Sequence, residues 1–349
     1  MSASAAEGVG VGVPEGRLEL RVRPFAFRLP RPLRTASGLV QEKRGWLLRL
    51  QGAGGAVGWG EAAPLDPGDG PALAAALAAL AALGTVMGRA ALERALPALP
   101  PTLAFALGAA LAECDGLVGA AAEGGWLAAP PSARLLPAGV AMLAALEFLD
   151  QPGRAGAVAR ARPPLPPPTL KWKVAAAADG LERRLLEQLL ERLPAESRLR
   201  LDANGGWDRS TAAAWADRLA REPRLEWLEQ PLAADDQEGL EQLARRVPVA
   251  LDESLRQRPQ LRDSWGGWQV RRPSQDGDPR PLLVQLQRRV PRLMLSTGFE
   301  TGIGARWTAH LAALQWQGPT PVAPGLAPDW LPAGPLFEGG PERVWAAAA

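Results

Sequence analysis

The chain has 349 residues, longer than a single hydrophobic core usually grows, so one large domain with a smaller companion is expected. Its 47% apolar and 22% charged residues suit a soluble globular protein, and 39 Lys and Arg against 37 Asp and Glu leave a formal charge of +2, without the basic stripe of a nucleic-acid binder. The single cysteine, Cys114, excludes an internal disulfide and a thiolate metal cluster and points to a reducing compartment, the cytoplasm.

Residues 1–16 lack the basic start and apolar core of a secretory signal and read as a flexible tail. The alternation of Gly8, Gly10 and Gly12 has no strand before it and no helix after it, so it is not a phosphate loop. Arg17 to Leu29 and Trp46 to Glu61 alternate and are rich in Leu, Val, Phe and Trp, with a glycine-rich break at Gly52 to Gly55; they predict an antiparallel hairpin or meander. Two or three Ala/Leu-rich helices follow between Ala72 and Val118, which makes residues 17–130 an α+β unit. Pro71 to Gly88 carries no charge for 18 residues, but most of it is alanine and Arg89, Glu93 and Arg94 follow, so a helix of the fold is expected and no membrane span.

Residues 131–330 have a different texture. Pro163 to Pro168 is a stiff connection, and after it apolar runs alternate with amphipathic ones. Strands are expected at Thr169 to Val174, Leu199 to Ala203, Glu226 to Glu229, Val249 to Asp252, Trp268 to Arg272 and Arg292 to Thr297. Helices fill the intervals and end with Gly304 to Leu314, which carries the only histidine, His310, read as a surface or satisfied core residue. Six or more βα units in series favour a closed parallel barrel of the TIM type; an open doubly wound sheet is the alternative. A last strand near Leu326 is poorly marked.

In such a barrel the functional groups stand at the C-terminal ends of the strands, where Lys173, Asp202, Glu229, Asp252 and Arg271-Arg272 all fall. Asp202 and Glu229 are 27 residues apart, and Glu229 and Asp252 are 23 apart, one βα unit each, so three carboxylates converge. Such a cluster repels itself without a cation, and all-oxygen ligation with room for water and substrate favours Mg²⁺ over zinc. The alternative is that each acid caps the next helix or pairs with an arginine. Lys171 and Lys173 lie two apart on one strand and share its interior face. Two ammonium groups there raise each other's cost of charging, and a divalent cation adds to it, so one lysine is expected to approach the pKa of a general base. A lysine base, a cation and three acids suit removal of a proton from carbon beside a carboxylate, so a small-molecule carboxylate is the expected partner.

Leu170-Lys171-Trp172-Lys173, Leu201-Asp202-Ala203-Asn204-Gly205, Trp227-Leu228-Glu229-Gln230-Pro231 and Leu251-Asp252-Glu253-Ser254 resemble the enolase superfamily, in its muconate-lactonizing branch. Arg31 to Gly38, Gly58 to Leu65, Leu135 to Gly139 and Phe299 to Gly304 also look like segments of that branch, which extends the likeness over nearly the whole chain. Sites of this superfamily pair a Lys or His base with Mg²⁺. The resemblance implies an α/β fold, a (β/α)7β TIM-type barrel with an N-terminal α+β capping domain, and residues 331–349 packed back on that domain. It implies Lys173 as the base, Lys171 as its tuning cation, and Asp202, Glu229 and Asp252 as ligands of Mg²⁺, with Mn²⁺ as a substitute. Asn204, Glu253 and Arg200 are expected to orient these groups, Arg200 with a structural ion pair as its alternative. Ser296, Thr297 and Gly298 are expected at the substrate, with Thr35 and Gly38 and the loop at Gly60 to Pro64 closing over it.

Within the branch the likeness is to dehydratases that turn a succinylated hydroxycyclohexadiene carboxylate into its aromatic product. The sixth strand of the superfamily usually ends in Lys-Pro, whereas this chain has Arg271-Arg272-Pro273. An arginine stays protonated and cannot be a second base, but Arg272 can stand as a cation over the reacting carboxylate. A racemase or epimerase needs a base on each face of the α-carbon and a dehydratase does not, so dehydration is favoured. Racemisation and acid binding without turnover are the alternatives.

Overall fold

The computed structural model describes residues 16–35, 38–146 and 168–348; the tail and nearly all of the proline-rich connection lie outside them. An antiparallel sheet comes first, from β1 (Arg17–Thr35), β2 (Gly38–Gln51), β3 (Val57–Ala62) and β4 (Val86–Gly88), in the order β3-β2-β1-β4. Leu18, Leu20, Leu48 and Leu50 line one face and bury it against helices, as period-two alternation requires. The hairpin of β1 and β2 runs on to Thr35 and Gly38, well past the predicted end at Leu29.

Three helices cover that face: α1 (Gly70–Ala82), α2 (Arg89–Ala95) and α3 (Pro101–Cys114). In α1 the charge-free stretch buries Leu73, Leu77 and Leu80 along one stripe and leaves most alanines outside. In α3 every residue from Thr102 to Ala112 is buried, because the helix has a partner on each side. Leu103, Leu107 and Leu111 pack on the capping sheet, while Phe105, Ala109 and Ala112 pack with Leu283, Trp307 and Leu311 of the barrel. The close approach to β3 depends on glycine. A Cβ at Gly58 would lie 1.8 Å from Ala110 O, and one at Gly60 would lie 2.0 Å from Ala106 O.

The second sheet is parallel, and its strands follow chain order: β5 (Arg134–Leu136), β6 (Thr169–Lys173), β7 (Arg198–Asp202), β8 (Leu225–Glu229), β9 (Val249–Leu251), β10 (Trp268–Arg271) and β11 (Leu293–Leu295). Between them run α4 (Ala141–Ala145), α5 (Asp179–Arg192), α6 (Arg209–Leu219), α7 (Gln237–Ala244), α8 (Glu253–Gln257), α9 (Leu261–Ser264), α10 (Pro273–Asp276) and α11 (Arg280–Gln287). After β11 comes α12 (Gly302–Trp316), within which buried His310 accepts a hydrogen bond from Leu127 N–H, as a satisfied core residue does.

The eighth stave is only a bridge. Gly325 pairs with Ser296, while Ala133 N–H donates to Pro324 O at 2.9 Å, so this short segment joins β11 to the chain leading into β5 and closes the ring. The fold is therefore a (β/α)7β barrel beside an antiparallel capping sheet. A last helix, α13 (Pro341–Ala347), lays Val344 and Ala348 against Phe25, Leu47 and Trp59 of that sheet. Among the described residues no helix is long and apolar enough to cross a membrane.

Candidate active site

Parallel register brings the chemistry to one end of the barrel: Lys173 is level with Asp202, and Asp202 with Glu229. Asp252 follows β9 at the start of α8, and Arg272 follows β10 at the start of α10. Lys171, Lys173, Asp202, Asn204, Asp252, Glu253 and Arg272 line one cavity together with the apolar side chains of Leu33, Leu65, Leu135, Phe299 and Ala327, and Glu229 lies buried behind it.

Asp202, Glu229 and Asp252 each have a cation beside them. Lys171 Nζ lies 2.6 Å from Glu229 Oε1 and 2.8 Å from Asp202 Oδ2. Lys173 Nζ donates to Asn204 Oδ1 at 2.7 Å and stands 3.7 Å from Asp202 Oδ2. Arg272 grips Asp252 with two bonds of 3.1 and 2.5 Å and donates as well to Ser296 Oγ and Thr297 O. Burial opposes the charge of Asp202, but Lys171 and Lys173 outweigh it and hold the group down at about 2. Burial likewise works against Asp252, and Arg272 keeps it below the usual carboxylate range. For Glu229 burial wins over Lys171 and raises the pKa. Glu253, pushed by burial and then by Asp252 and Asp202, rises to about 8.

Lys171 is the lysine of the pair that the acids hold charged. Burial does work against its charge, but Asp202 and Glu229 lie within contact distance and carry the pKa above the ordinary lysine value. Nearness decides the sign: a carboxylate at hydrogen-bond distance outweighs a second ammonium farther along the strand.

Among the described residues no three acid, histidine or cysteine side chains are gathered tightly enough to hold a metal ion as they stand. The Lys171 ammonium lies between Asp202 and Glu229, and Arg272 holds Asp252. The donor set nevertheless fits a hard divalent cation. Asp202, Glu229, Asp252 and Glu253 offer only oxygen, and the buried Glu253 Oε2 has no hydrogen-bond partner among the described residues.

Asn204 ties the group together: its N–H donates to Asp202 Oδ1, its side-chain carbonyl accepts from Lys173, and its amide donates to Glu253 Oε1. Arg200 is placed differently from the orienting role expected of it. It lies fully buried below the cavity, bonded to Glu226 at 2.6 Å and stacked over Trp227, so the structural ion pair is what forms. Arg271 turns away to Asp276, which leaves the cavity position to Arg272. Ser296 and Thr297 line the cavity, but the Thr297 hydroxyl donates to Glu300, and Gly298 sits behind the wall with its N–H on Glu300 and its carbonyl on Lys43. Gly38 borders an adjoining cavity shared with Lys173 and Asn204; the side chain of Thr35 lies outside the described residues. Gly60 to Ala62 belong to β3 and form no loop there, and the cap reaches the cavity through Leu33 and Leu65.

Three residues escaped sequence reasoning. Gln230, at φ 36°, accepts the N–H groups of Asp252 and Ser254 and so fixes the start of α8. Gln275 lines the cavity and accepts Leu65 N–H. Arg256 of α8 lines the cavity too, with no carboxylate in ion-pair contact among the described residues. Its position three residues after Glu253, one turn along a helix, was the available signal.

A capped parallel barrel whose strand ends carry Lys-x-Lys and three acids is the architecture of the enolase superfamily, and residues 166–265 match the Enolase C-terminal domain-like family. An o-succinylbenzoate synthase of Thermosynechococcus vestitus is 34% identical over 316 residues, covering 84% of this chain and 88% of the relative. The crystal structure of o-succinylbenzoate synthase from Thermosynechococcus elongatus BP-1, complexed with Mg in the active site, aligns over 94% of this chain and 99% of that one, with a TM-score of 0.74 and 31% identity. The L-Ala-D/L-Glu epimerase of Bacillus subtilis shares the fold at 22% identity and a TM-score of 0.65, over 90% of each chain. The chain belongs to the o-succinylbenzoate synthase family of the enolase superfamily.

Proposed function

We propose that the protein is a lyase that dehydrates 2-succinyl-6-hydroxy-2,4-cyclohexadiene-1-carboxylate to 2-succinylbenzoate, in the cytoplasm and on the route to menaquinone or phylloquinone. The observation that carries the reading is one cavity bordered by both lysines of Lys-x-Lys, by Asp202 and Asp252 and by apolar side chains, with buried Glu229 level with Asp202 and 2.6 Å from Lys171.

Asp202, Glu229 and Asp252 would hold Mg²⁺, or Mn²⁺ in its place, with Lys171 yielding its position between the first two. When bound, the ion supplies positive charge against the substrate carboxylate. Lys173 takes the proton from the ring carbon that bears the carboxylate. Asn204, 2.7 Å from its Nζ, fixes where that amine points. The same ammonium then returns the proton to the departing hydroxyl, the carbon–oxygen bond breaks, water leaves and the ring becomes aromatic. Lys171 adds positive potential on the barrel side. Arg272 adds a cation that never gives up its proton, held in register by Asp252, Ser296 and Thr297. Arg256 is suited to the terminal carboxylate of the succinyl chain, and Leu33, Leu65 and Phe299 to its methylenes.

The test is formation of 2-succinylbenzoate by the purified chain. Turnover with Mg²⁺, its loss on chelation and its return on adding Mg²⁺ are expected. Binding of the acid without turnover in the presence of Mg²⁺ would replace this reading by one of a binding protein.

A further inference from the structure

Outside the site, Lys43 of β2 is a fully buried charge among the described residues. It is 1% exposed, and its ammonium lies between two backbone carbonyls, Gly298 O at 2.5 Å and Ala63 O at 3.1 Å. Among the described residues no carboxylate stands in ion-pair contact with it. The two nearest acids are taken by other donors. Glu61 accepts from Thr301 N–H and Oγ1 and from Gly304 N–H at the start of α12. Glu300 accepts from Ser274 Oγ, Thr297 Oγ1 and Gly298 N–H. Burial lowers the pKa of Lys43, and the charges of Glu300 and Glu61 oppose that.

A buried ammonium is a costly way to join two surfaces, since an apolar side chain of the same length would pack there without desolvating a charge. What the ammonium adds is direction. It draws a carbonyl of the capping sheet and a carbonyl of a barrel turn to one point, and both carbonyls adjoin the substrate wall. Gly298 lies between Thr297 and Phe299, which both line the cavity, and Thr297 O is an acceptor of Arg272. Ala63 stands two residues before Leu65 of the same wall. Gln275 ties the same point again, donating to Ala63 O and accepting from Leu65 N–H. The turn packs closely enough on α10 that only glycine fits: a Cβ at Gly298 would lie 2.7 Å from Ser274 Oγ and 2.9 Å from Gln275 Nε2. Phe299 beside it holds a left-handed φ of 61°, a conformation that surrounding contacts must maintain.

We infer that Lys43 is a positioning residue for substrate binding: its ammonium ties Ala63 of the cap to Gly298 of the barrel and so sets the separation of Leu65 and Phe299 across the acyl chain. This rests on the substrate reading above and extends it from the groups that touch the substrate to one that does not.

The experiment compares Lys43→Met, which keeps length and removes every donor, with the parent chain. With Mg²⁺ saturating, KM for the succinylated substrate should rise about tenfold or more while kcat changes less than about threefold, because wall geometry and not the reacting groups is disturbed. Magnesium affinity, followed by tryptophan fluorescence, should stay within about twofold. In a Phe299→Ala background the same replacement should change KM by less than about twofold, since the wall that Lys43 sets is already gone. Should Lys43→Met fail to fold, Lys43→Gln, which retains an amide donor, carries the comparison, with a smaller rise in KM. An unchanged KM overturns the inference, as does an equal effect in both backgrounds or a joint loss of kcat and magnesium affinity. Binding of 2-succinylbenzoate is measured on the same variants. A parent chain without turnover defeats the activity reading, and the affinity ratio still decides the role of Lys43.

Discussion

At Lys173 the ammonium has an amide oxygen at 2.7 Å and a carboxylate at 3.7 Å, whereas Lys171 is clasped by two carboxylates at 2.6 and 2.8 Å. Lys171 is bound up with the two acids that would hold the metal, and Lys173 is the lysine proposed above to exchange a proton with the substrate. Lys173→Ala is therefore expected to lower kcat by at least about a thousandfold, with magnesium affinity little changed, as read by product formation and by metal titration. Arg272 bears on the direction of the chemistry. Replacing it by lysine loses the forked grip on Asp252 and should lower kcat about tenfold or more. It also replaces a fixed cation of the cavity by a titratable amine. In deuterated water the parent chain should exchange the α-proton of at most one enantiomer of an N-succinyl amino acid, without inversion, while Arg272→Lys should racemise it, measured by proton NMR and chiral chromatography. Racemisation by the parent chain would count against a single base.

Helix α3 and strand β3 meet so closely that backbone touches backbone, and this contact fixes where Glu61 and Leu65 emerge. Gly60→Ala would bring a methyl group to 2.0 Å from Ala106 O, so strand or helix must move. A loss of about 1–3 kcal/mol in unfolding free energy is expected by denaturant titration, together with a raised KM. Such elements show which features a sequence declares. The strands of the barrel fall within a few residues of their predicted bounds, because a buried strand followed by an amphipathic helix changes the apolar period from run to run. Asp202, Glu229, Asp252 and the two lysines were legible for the same reason: they recur at the ends of those runs. The last stave was placed only roughly, near Leu326, since a single bridge at Gly325 has no period to read. Lys43 was hidden inside Glu42-Lys43-Arg44, which looks like a solvated charged run until period two puts the middle residue on the face of Gly45 and Leu47. The partner of Arg200 was likewise unreadable, because an ion pair between neighbouring strands depends on a register that shifts between Leu199 and Arg200.

Across the whole molecule the capping sheet and the barrel are joined by α3, by the polar knot at Lys43, by α13 and by an ion pair between α2 and α11. In that pair Arg280 holds Glu93 with bonds of 3.0 and 2.8 Å, and its hydrogen bonds draw the Glu93 carboxyl below its ordinary pKa. The folded value lies below the unfolded one, so this contribution is present above the unfolded pKa of glutamate and fades as pH falls through the folded value. Glu93 is partly exposed and screened, so Glu93→Gln should cost only about 0.5–1 kcal/mol at pH 7. Thermal melts of parent and variant should draw together in acid, below the ordinary glutamate range. A gap that persists unchanged there would assign the loss to packing and not to charge.

The shortness of the last stave bears on how the chain is made. Pro324 and Gly325 bond back to Ala133 and Leu295, and Val344 packs on Phe25 and Leu47 near the other end of the chain. During synthesis the ring therefore stays unsealed until Gly325 has emerged, and the first sheet keeps an apolar side uncovered until Val344 has. Nascent chains stalled near residue 300 should stay open to protease and to chaperones, and those stalled long enough to free Val344 from the exit tunnel should not.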